Sequence, residues 1–292
     1  MHIDTLGDRS PRERRDAALT PRPLRLLVIG RIKPGAEPDL REAQARFPHD
    51  AAHEAFVPLG TQRFDATGGT AASLGAVSEQ KTMLLDVVAR QRIAPGPGLI
   101  GRILQAEGDA LSDNDLAGVV DGIVTGGYET TASTISMGTA VLLRDPAHVA
   151  LVRDGSPDVV DGVVDELLRY LTVVQVAFPR FAKQDLELAG CPVRKDDVVA
   201  VSLSGANRDP AWAGPDPDRF DPSRSPATGA HLAFGHGMHR CVGAELARME
   251  LRIVLPELFR RFPDLALAVP EEKLTWRGLS FVYGVEELPV TF

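Results

Sequence analysis

Apolar residues recur along this chain at spacings that sort it into elements. "LRLLVIG", Leu24 to Gly30, is a short continuous apolar run of the kind a buried strand shows, and Pro38 to Phe47 reads as a helix after it. Residues 57–72, "VPLGTQRFDATGGTAA", have no period and read as a linker or loop. Helical spacing resumes over 73–92 and stops at the breaker "APGPG", Ala94 to Gly98. The longest uninterrupted pattern follows. Ser112 is a candidate N-cap, with Asp113 and Asp115 in the first turn, where the helix dipole favours negative charge. Nothing breaks the pattern before "RDP", Arg144 to Pro146, so a helix over 113–143 is expected. Its apolar positions do not keep to one stripe, which predicts burial on several sides.

Further along, "VVDGVVDELLRYL" has helical spacing, and "DLELAGCPVRKDDVVAVSL" alternates as strands joined by turns do. "ANRDPAWAGPDPDRFDPSRS", rich in Pro and Asp, reads as an ordered loop. After Cys241 a helix runs toward Phe262. Val242, Leu246, Met249 and Ile253 suggest its apolar face, and Pro256 is expected to kink it. The first 23 residues are polar, mixed in charge and hold three prolines, as a mobile tail would be.

Composition narrows the function classes. The chain has 292 residues, 44% of them hydrophobic, enough for a substantial core. A formal net charge of -8 argues against a nucleic-acid partner. Two cysteines give no disulfide framework and suit a reducing cytoplasm. No stretch has the apolar length of a membrane span, and the first residues lack the apolar core of a secretory signal.

The chemistry concentrates around "HLAFGHGMHRCVGAELARMEL", His231 to Leu251. Cys241 stands before a predicted helix, where unpaired N–H groups favour a thiolate. Glycines at 235, 237 and 243 let backbone approach something flat or bulky. From these residues alone the thiolate could be a metal ligand, a nucleophile using His236 or His239 as base, or a small buried side chain. A zinc site would want more ligands, and Cys191 lies far away in sequence.

"FGHGMHRCVG" resembles the heme-binding signature of the cytochrome P450 family, Phe-Gly-x-Gly-x-His/Arg-x-Cys-x-Gly. Phe234, Gly235, Gly237, His239, Cys241 and Gly243 match it. The resemblance implies that Cys241 is the axial thiolate on heme iron, where a cysteine ligand favours O–O cleavage. It further implies that Phe234 lies on the thiolate side of the heme and that His239 donates to a propionate. "GGYETTAS" in the long helix resembles the family's oxygen-binding segment through Gly126, Gly127, Glu129, Thr130 and Thr131. There the two glycines would open a groove for O2, and Glu129 with Thr130 would relay protons. The other reading of Thr130 is a helical threonine bonded to the carbonyl of Gly126. Glu166 and Arg169 resemble the family's Glu-x-x-Arg element, although such a pair is often only a surface ion pair. Arg219 fits the third member of that structural cluster, and Arg180 fits a propionate-binding arginine.

The resemblance runs from about residue 75 to the C-terminus. It implies a mainly helical fold, the heme-binding half of the family's architecture with small β-sheets. It implies heme b as cofactor, and electrons from NAD(P)H through a ferredoxin reductase and a ferredoxin. The reaction it implies is insertion of one oxygen atom from O2 into an apolar organic substrate, possible examples being a polyketide or other secondary metabolite. Substrate contacts are expected from Ile123, Gly126, 173–178 and 278–282. Arg240, Arg248 and Arg252 could dock an acidic partner or form a solvated face. The front of the chain departs from the pattern. Family members carry several more helices there, with a His-x-x-x-Arg element that grips the heme, and no match to it occurs. Residues 24–47 faintly resemble the opening of small polyketide cyclases. The expected organisation is therefore a tail over 1–23, an atypical segment over 24–72 and a heme-binding domain over 73–292. The competing reading is a non-catalytic remnant with weak or no heme binding.

Overall fold

The computed structural model describes residues 22–23, 59–60, 62–65, 67–224 and 230–292. The expected strand over 24–30, the helix over 38–47 and the cyclase-like resemblance fall outside the described residues. Contacts divide the chain into two units, and the division falls inside the long helix, between Ala132 and Ser133.

Among the described residues, the first unit comprises 59–60, 62–65, 67–132 and the returning segment 276–280. Helix α1 spans Gly69–Ile93 and buries Ala76, Gln80, Leu84 and Val88, a single stripe at intervals of four. Arg90 and Arg92 lie in its last turn, where the dipole favours cations. The expected loop over 57–72 is partly helical instead, at 59–60 and 62–64, with Leu59 in the core. Asp65 then accepts from the N–H of Thr67 at 2.8 Å and pairs with Ser280 in an isolated antiparallel bridge. Helix α2, Leu99–Glu107, follows the Pro-Gly break. Its Gly101 can only be glycine, because a Cβ there would lie 1.9 Å from the carbonyl oxygen of Gly96. Leu84, Val88, Leu104, Leu116, Ala117 and Val120 form the core of this unit.

The long helix α3 spans Asp113–Leu142, about 45 Å at 1.5 Å per residue. Ser112 opens it with a capping box. Its hydroxyl accepts from the N–H of Asp115 at 3.2 Å, and its own N–H donates to Asp115 Oδ2 at 3.3 Å. Burial varies along its length. Val119, Ile123 and Val124 are exposed, whereas Ile135, Met137, Ala140, Val141 and Leu142 are buried.

Among the described residues, the second unit comprises 22–23, 133–224, 230–275 and 281–292. Helix α4, Pro146–Asp154, starts with Pro at its first position and is capped by Asp145, which accepts from Ala147. Helix α5, Pro157–Leu171, ends on Thr172, which is left-handed. Two single-turn helices, α6 (Leu203–Ala206) and α7 (Pro210–Ala213), lead toward the cysteine loop. Helix α8, Ala244–Arg261, continues through Pro256 and packs on α4 and α5.

The expected apolar face of α8 is not the buried one. Val242, Leu246 and Met249 are exposed, and Leu251, Leu255, Leu258 and Phe259 carry the core instead. The buried stripe is displaced by two positions, about 200° around the helix axis at 3.6 residues per turn, and both sets satisfy the same period.

Three small antiparallel sheets complete this unit. Strand β1 (Arg22–Pro23) pairs with β7 (Pro289–Thr291), which also pairs with β6 (Ala266–Leu267). The last two residues of the expected tail are therefore a sheet edge, a position proline tolerates. Strand β2 (Arg180–Phe181) pairs with β5 (Val198–Val199). Strands β3 (Leu186–Leu188) and β4 (Cys191–Val193) form a hairpin whose two turn residues, Ala189 and Gly190, both have positive φ, as a type I′ turn requires. The mainly helical fold with small sheets agrees with the sequence reading.

Candidate functional site

The cysteine loop is shaped by its backbone. Gly235 and Gly237 adopt φ of +71° and +78°, conformations that favour glycine. The Gly235 N–H donates to Leu232 O, and the Cys241 N–H donates to Phe234 O, both at 2.9 Å. A 3-10 turn over Gly237–His239 carries His239 between these anchor points. Cys241 stands two residues before Gly243, the N-cap of α8, and is an exposed free thiol.

Met238 and Val242 beside it are 92% and 98% exposed. A Cβ at Gly235 or Gly237 would meet no atom within 4 Å. An accessible thiol on an open, glycine-shaped loop with bare apolar neighbours fits a flat apolar metal complex held by sulfur. Among the described residues no group of three or more His, Cys, Asp or Glu could hold a metal ion. His239 is exposed, and Arg180 is exposed with its Nη1 donating to Phe178 O at 3.0 Å.

Below the loop, Glu166 and Arg169 are a buried bidentate pair, with Nε–Oε2 at 2.7 Å and Nη2–Oε1 at 2.9 Å. Arg169 also donates to the carbonyls of Asn207 at 3.0 Å, Pro217 at 2.8 Å and Arg219 at 3.2 Å. Two of its donors thus hold Glu166 and three order the 207–219 loop. The third arginine of the cluster differs from the sequence reading. The Arg219 side chain is exposed and pairs with Asp221 at 3.5 Å. Arg224 reaches Glu166 instead, Nε to Oε1 at 3.2 Å, and donates to the carbonyls of Asp216 and Arg219. "PDRF" and "DPSR" both offer an arginine, and spacing alone does not choose between them. The turn at Asp221, whose N–H donates to Glu166 at 2.8 Å, aims the later one inward.

The centre of α3 holds the second group of expected residues. A Cβ at Gly126 or Gly127 would meet nothing within 4 Å. Thr130 Oγ1 donates to Gly126 O at 2.6 Å, the helical back-bond weighed as the alternative reading. Glu129 is buried and forms an ion pair with Arg277, a residue the sequence reading did not single out. A glutamate inside an apolar helix calls for a cation, but the partner lies 148 positions away, and no local spacing points to it. Burial raises the Tyr128 phenol above its ordinary range, with the Glu129 charge adding to the effect.

The three arginines expected to dock a partner are all engaged. Arg252 pairs with Asp161, Arg240 lies 3.8 Å from Glu245, and Arg248 pairs with Asp165 at 3.1 Å and Glu245 at 3.2 Å. Arg248 is mostly buried and stacks on Phe234, its guanidinium 4.8 Å from the ring centroid.

The site thus combines an exposed Cys241 thiol on a glycine-shaped loop with a buried Glu166–Arg169 pair that orders the 207–219 segment. Residues 156–275 match the family model described as Cytochrome P450, and the chain belongs to that family. Among curated proteins it is 44% identical to "Cytochrome P450 165B3" of Amycolatopsis orientalis over 209 residues, covering 72% of this chain and 52% of that one. It is 38% identical to "Pentalenolactone synthase" of Streptomyces exfoliatus, with 72% and 52% covered. Among solved structures it resembles CYP105P1 in complex with filipin I, at a TM-score of 0.75 and 37% identity, covering 85% of this chain and 62% of that one. The chain spans about half the length of the curated relatives it matches. Among the described residues no helix is long and apolar enough to cross a membrane.

Proposed function

We propose that this chain binds heme b through Cys241 and acts as a cytochrome P450-type monooxygenase on an apolar organic molecule of secondary metabolism. Support comes from the family match across the cysteine loop and from relatives that include pentalenolactone synthase. Bound heme would supply the activation of O2, with electrons from NAD(P)H delivered through a ferredoxin reductase and a ferredoxin in the cytoplasm.

The chain's own residues have distinct tasks in this reading. Cys241 ligates iron, and His239 and Arg180 hold the propionates. Phe234 packs on the thiolate side and takes the Cys241 N–H on its carbonyl. Gly243, one residue past Val242, starts the helix without a side chain. Gly126 and Gly127 leave room for O2, and Glu129 and Thr130 hold and pass a proton. Both of these last groups are committed elsewhere in the structure, Thr130 to Gly126 O and Glu129 to Arg277. Passing a proton therefore requires the Thr130 hydroxyl to turn away from that carbonyl.

The observation that carries the reading is the exposed Cys241 thiol on its glycine-shaped loop. The test is the reduced, CO-bound spectrum of purified protein, with the heme-to-protein ratio. A Soret band at the thiolate-ligated position, lost in Cys241→Ala and kept in Cys191→Ala, is expected. Equal heme content in wild type and Cys241→Ala would refute the ligand assignment. A second reading, a non-catalytic protein with weak or no heme binding, draws on the commitment of Thr130 to Gly126 O and of Glu129 to Arg277. Absence of the thiolate band would select it.

A further inference from the structure

We propose that Asp165 and Arg248 are positioning residues for Cys241, forming a bracket that sets the backbone of Phe234. Asp165 is the residue before Glu166 on α5, so one helix sends two adjacent carboxylates toward the loop by different routes. Glu166 acts through Arg169, whose Nη1 donates to Asn207 O at 3.0 Å, while the Asn207 side chain takes the Leu232 N–H at 2.6 Å. That route ends at Leu232. Asp165 takes the Arg248 Nε–H at 3.1 Å, and Arg248 lies over the Phe234 ring at 4.8 Å. On the other side of Asp165, His231 Nε2 stands 3.5 Å away, a long contact. The His231 ring lies 6.0 Å from that of Phe234, and His231 Nδ1 accepts from the Ala233 N–H at 3.2 Å. Phe234 is thus flanked by two side chains that share one carboxylate. Its carbonyl is the acceptor for the Cys241 N–H at 2.9 Å. The carboxylate fixes the guanidinium, the guanidinium fixes the ring, and the ring's own peptide group fixes the residue bearing the thiol. Arg248 is mostly buried in this arrangement, so packing on Phe234 and pairing on α5 account for its place better than partner docking does.

Site-resolved amide hydrogen exchange on the purified chain tests this. The bracket acts whether or not Cys241 ligates iron, and the heme content of each variant, measured alongside, keeps the two questions apart. Asp165→Asn keeps the volume of a half-exposed side chain and should fold. It is expected to speed exchange of the Cys241 amide about fivefold, the loss of one exposed pair. Arg248→Met loses pairing and stacking together and should speed it about tenfold. Arg248→Lys keeps a charge but not the planar stack and should fall between wild type and Arg248→Met. The Leu232 amide, held by Asn207, should keep its wild-type rate in all three. Unchanged exchange at Cys241 in Arg248→Met overturns the proposal. So does an equal rise at Leu232 and Cys241, which would mean general loosening.

Discussion

Among the described residues, the pairs Glu166–Arg169 and Glu129–Arg277 each hold a buried carboxylate, one pair in each unit, and they differ in what joins the partners. Glu166 and Arg169 sit three positions apart on one helix, so backbone geometry brings them together before any tertiary contact forms. Glu129 and Arg277 are 148 positions apart, and their meeting depends on the segment 276–280 returning to the first unit. The first pair is a local device given a long reach by its spare donors. The second is a long-range closure, helped by the Asp65–Ser280 bridge. A buried carboxylate needs its cation in both cases, because an uncompensated charge away from water is expensive.

The sharpest way to break the comparison is Arg169→Ala. It leaves Glu166 buried and strips the Asn207, Pro217 and Arg219 carbonyls of their donor at once. A loss of about 4 kcal/mol or more is expected in urea unfolding, and Arg169→Lys should recover little of it, since an ammonium cannot match the planar fork. Arg277→Ala should cost less, roughly 3 kcal/mol, the loss of the cation beside the buried Glu129. Here the double replacement Glu129→Leu with Arg277→Met should recover most of the stability. If the same swap at 166 and 169 recovered as much, the difference between the pairs would vanish.

The corrected cluster member comes next. Arg224→Ala should destabilise by about 2 kcal/mol, and Arg219→Ala by less than about 0.5 kcal/mol. The reverse order would restore the sequence reading. A small, pH-dependent effect belongs to Asp165, whose carboxyl His231 and then Arg248 hold down at about 2, below the ordinary 3.8. A depressed carboxyl stabilises the fold above its unfolded value and loses that contribution as pH falls toward 2. The advantage of wild type over Asp165→Asn should therefore be full above about pH 4 and gone near pH 2. Half exposure keeps it under about 1 kcal/mol.

These particulars show what the sequence could and could not yield. The long helix was legible to within one residue, because a Ser cap and a Pro stop are local signals. The cysteine loop was legible as a motif because its glycines and thiol stand close together. The apolar face of α8 was misread, since two stripes of equal period compete and only packing chooses between them. Arg224 was missed in favour of Arg219 because a turn decides which arginine points inward. Arg277 carried no signal at all. A buried glutamate announces that it needs a cation, but the identity of that cation belongs to the tertiary fold.

Gly235 and Gly237 carry one more consequence. Their missing side chains would touch nothing, yet their φ values lie where other residues are strained. In the heme-free protein, the penalty for replacing either one should come from the main chain and not from crowding by neighbouring protein atoms. A saturation library at these sites should then give a flat profile, in which alanine is almost as damaging as leucine and asparagine is the mildest exchange.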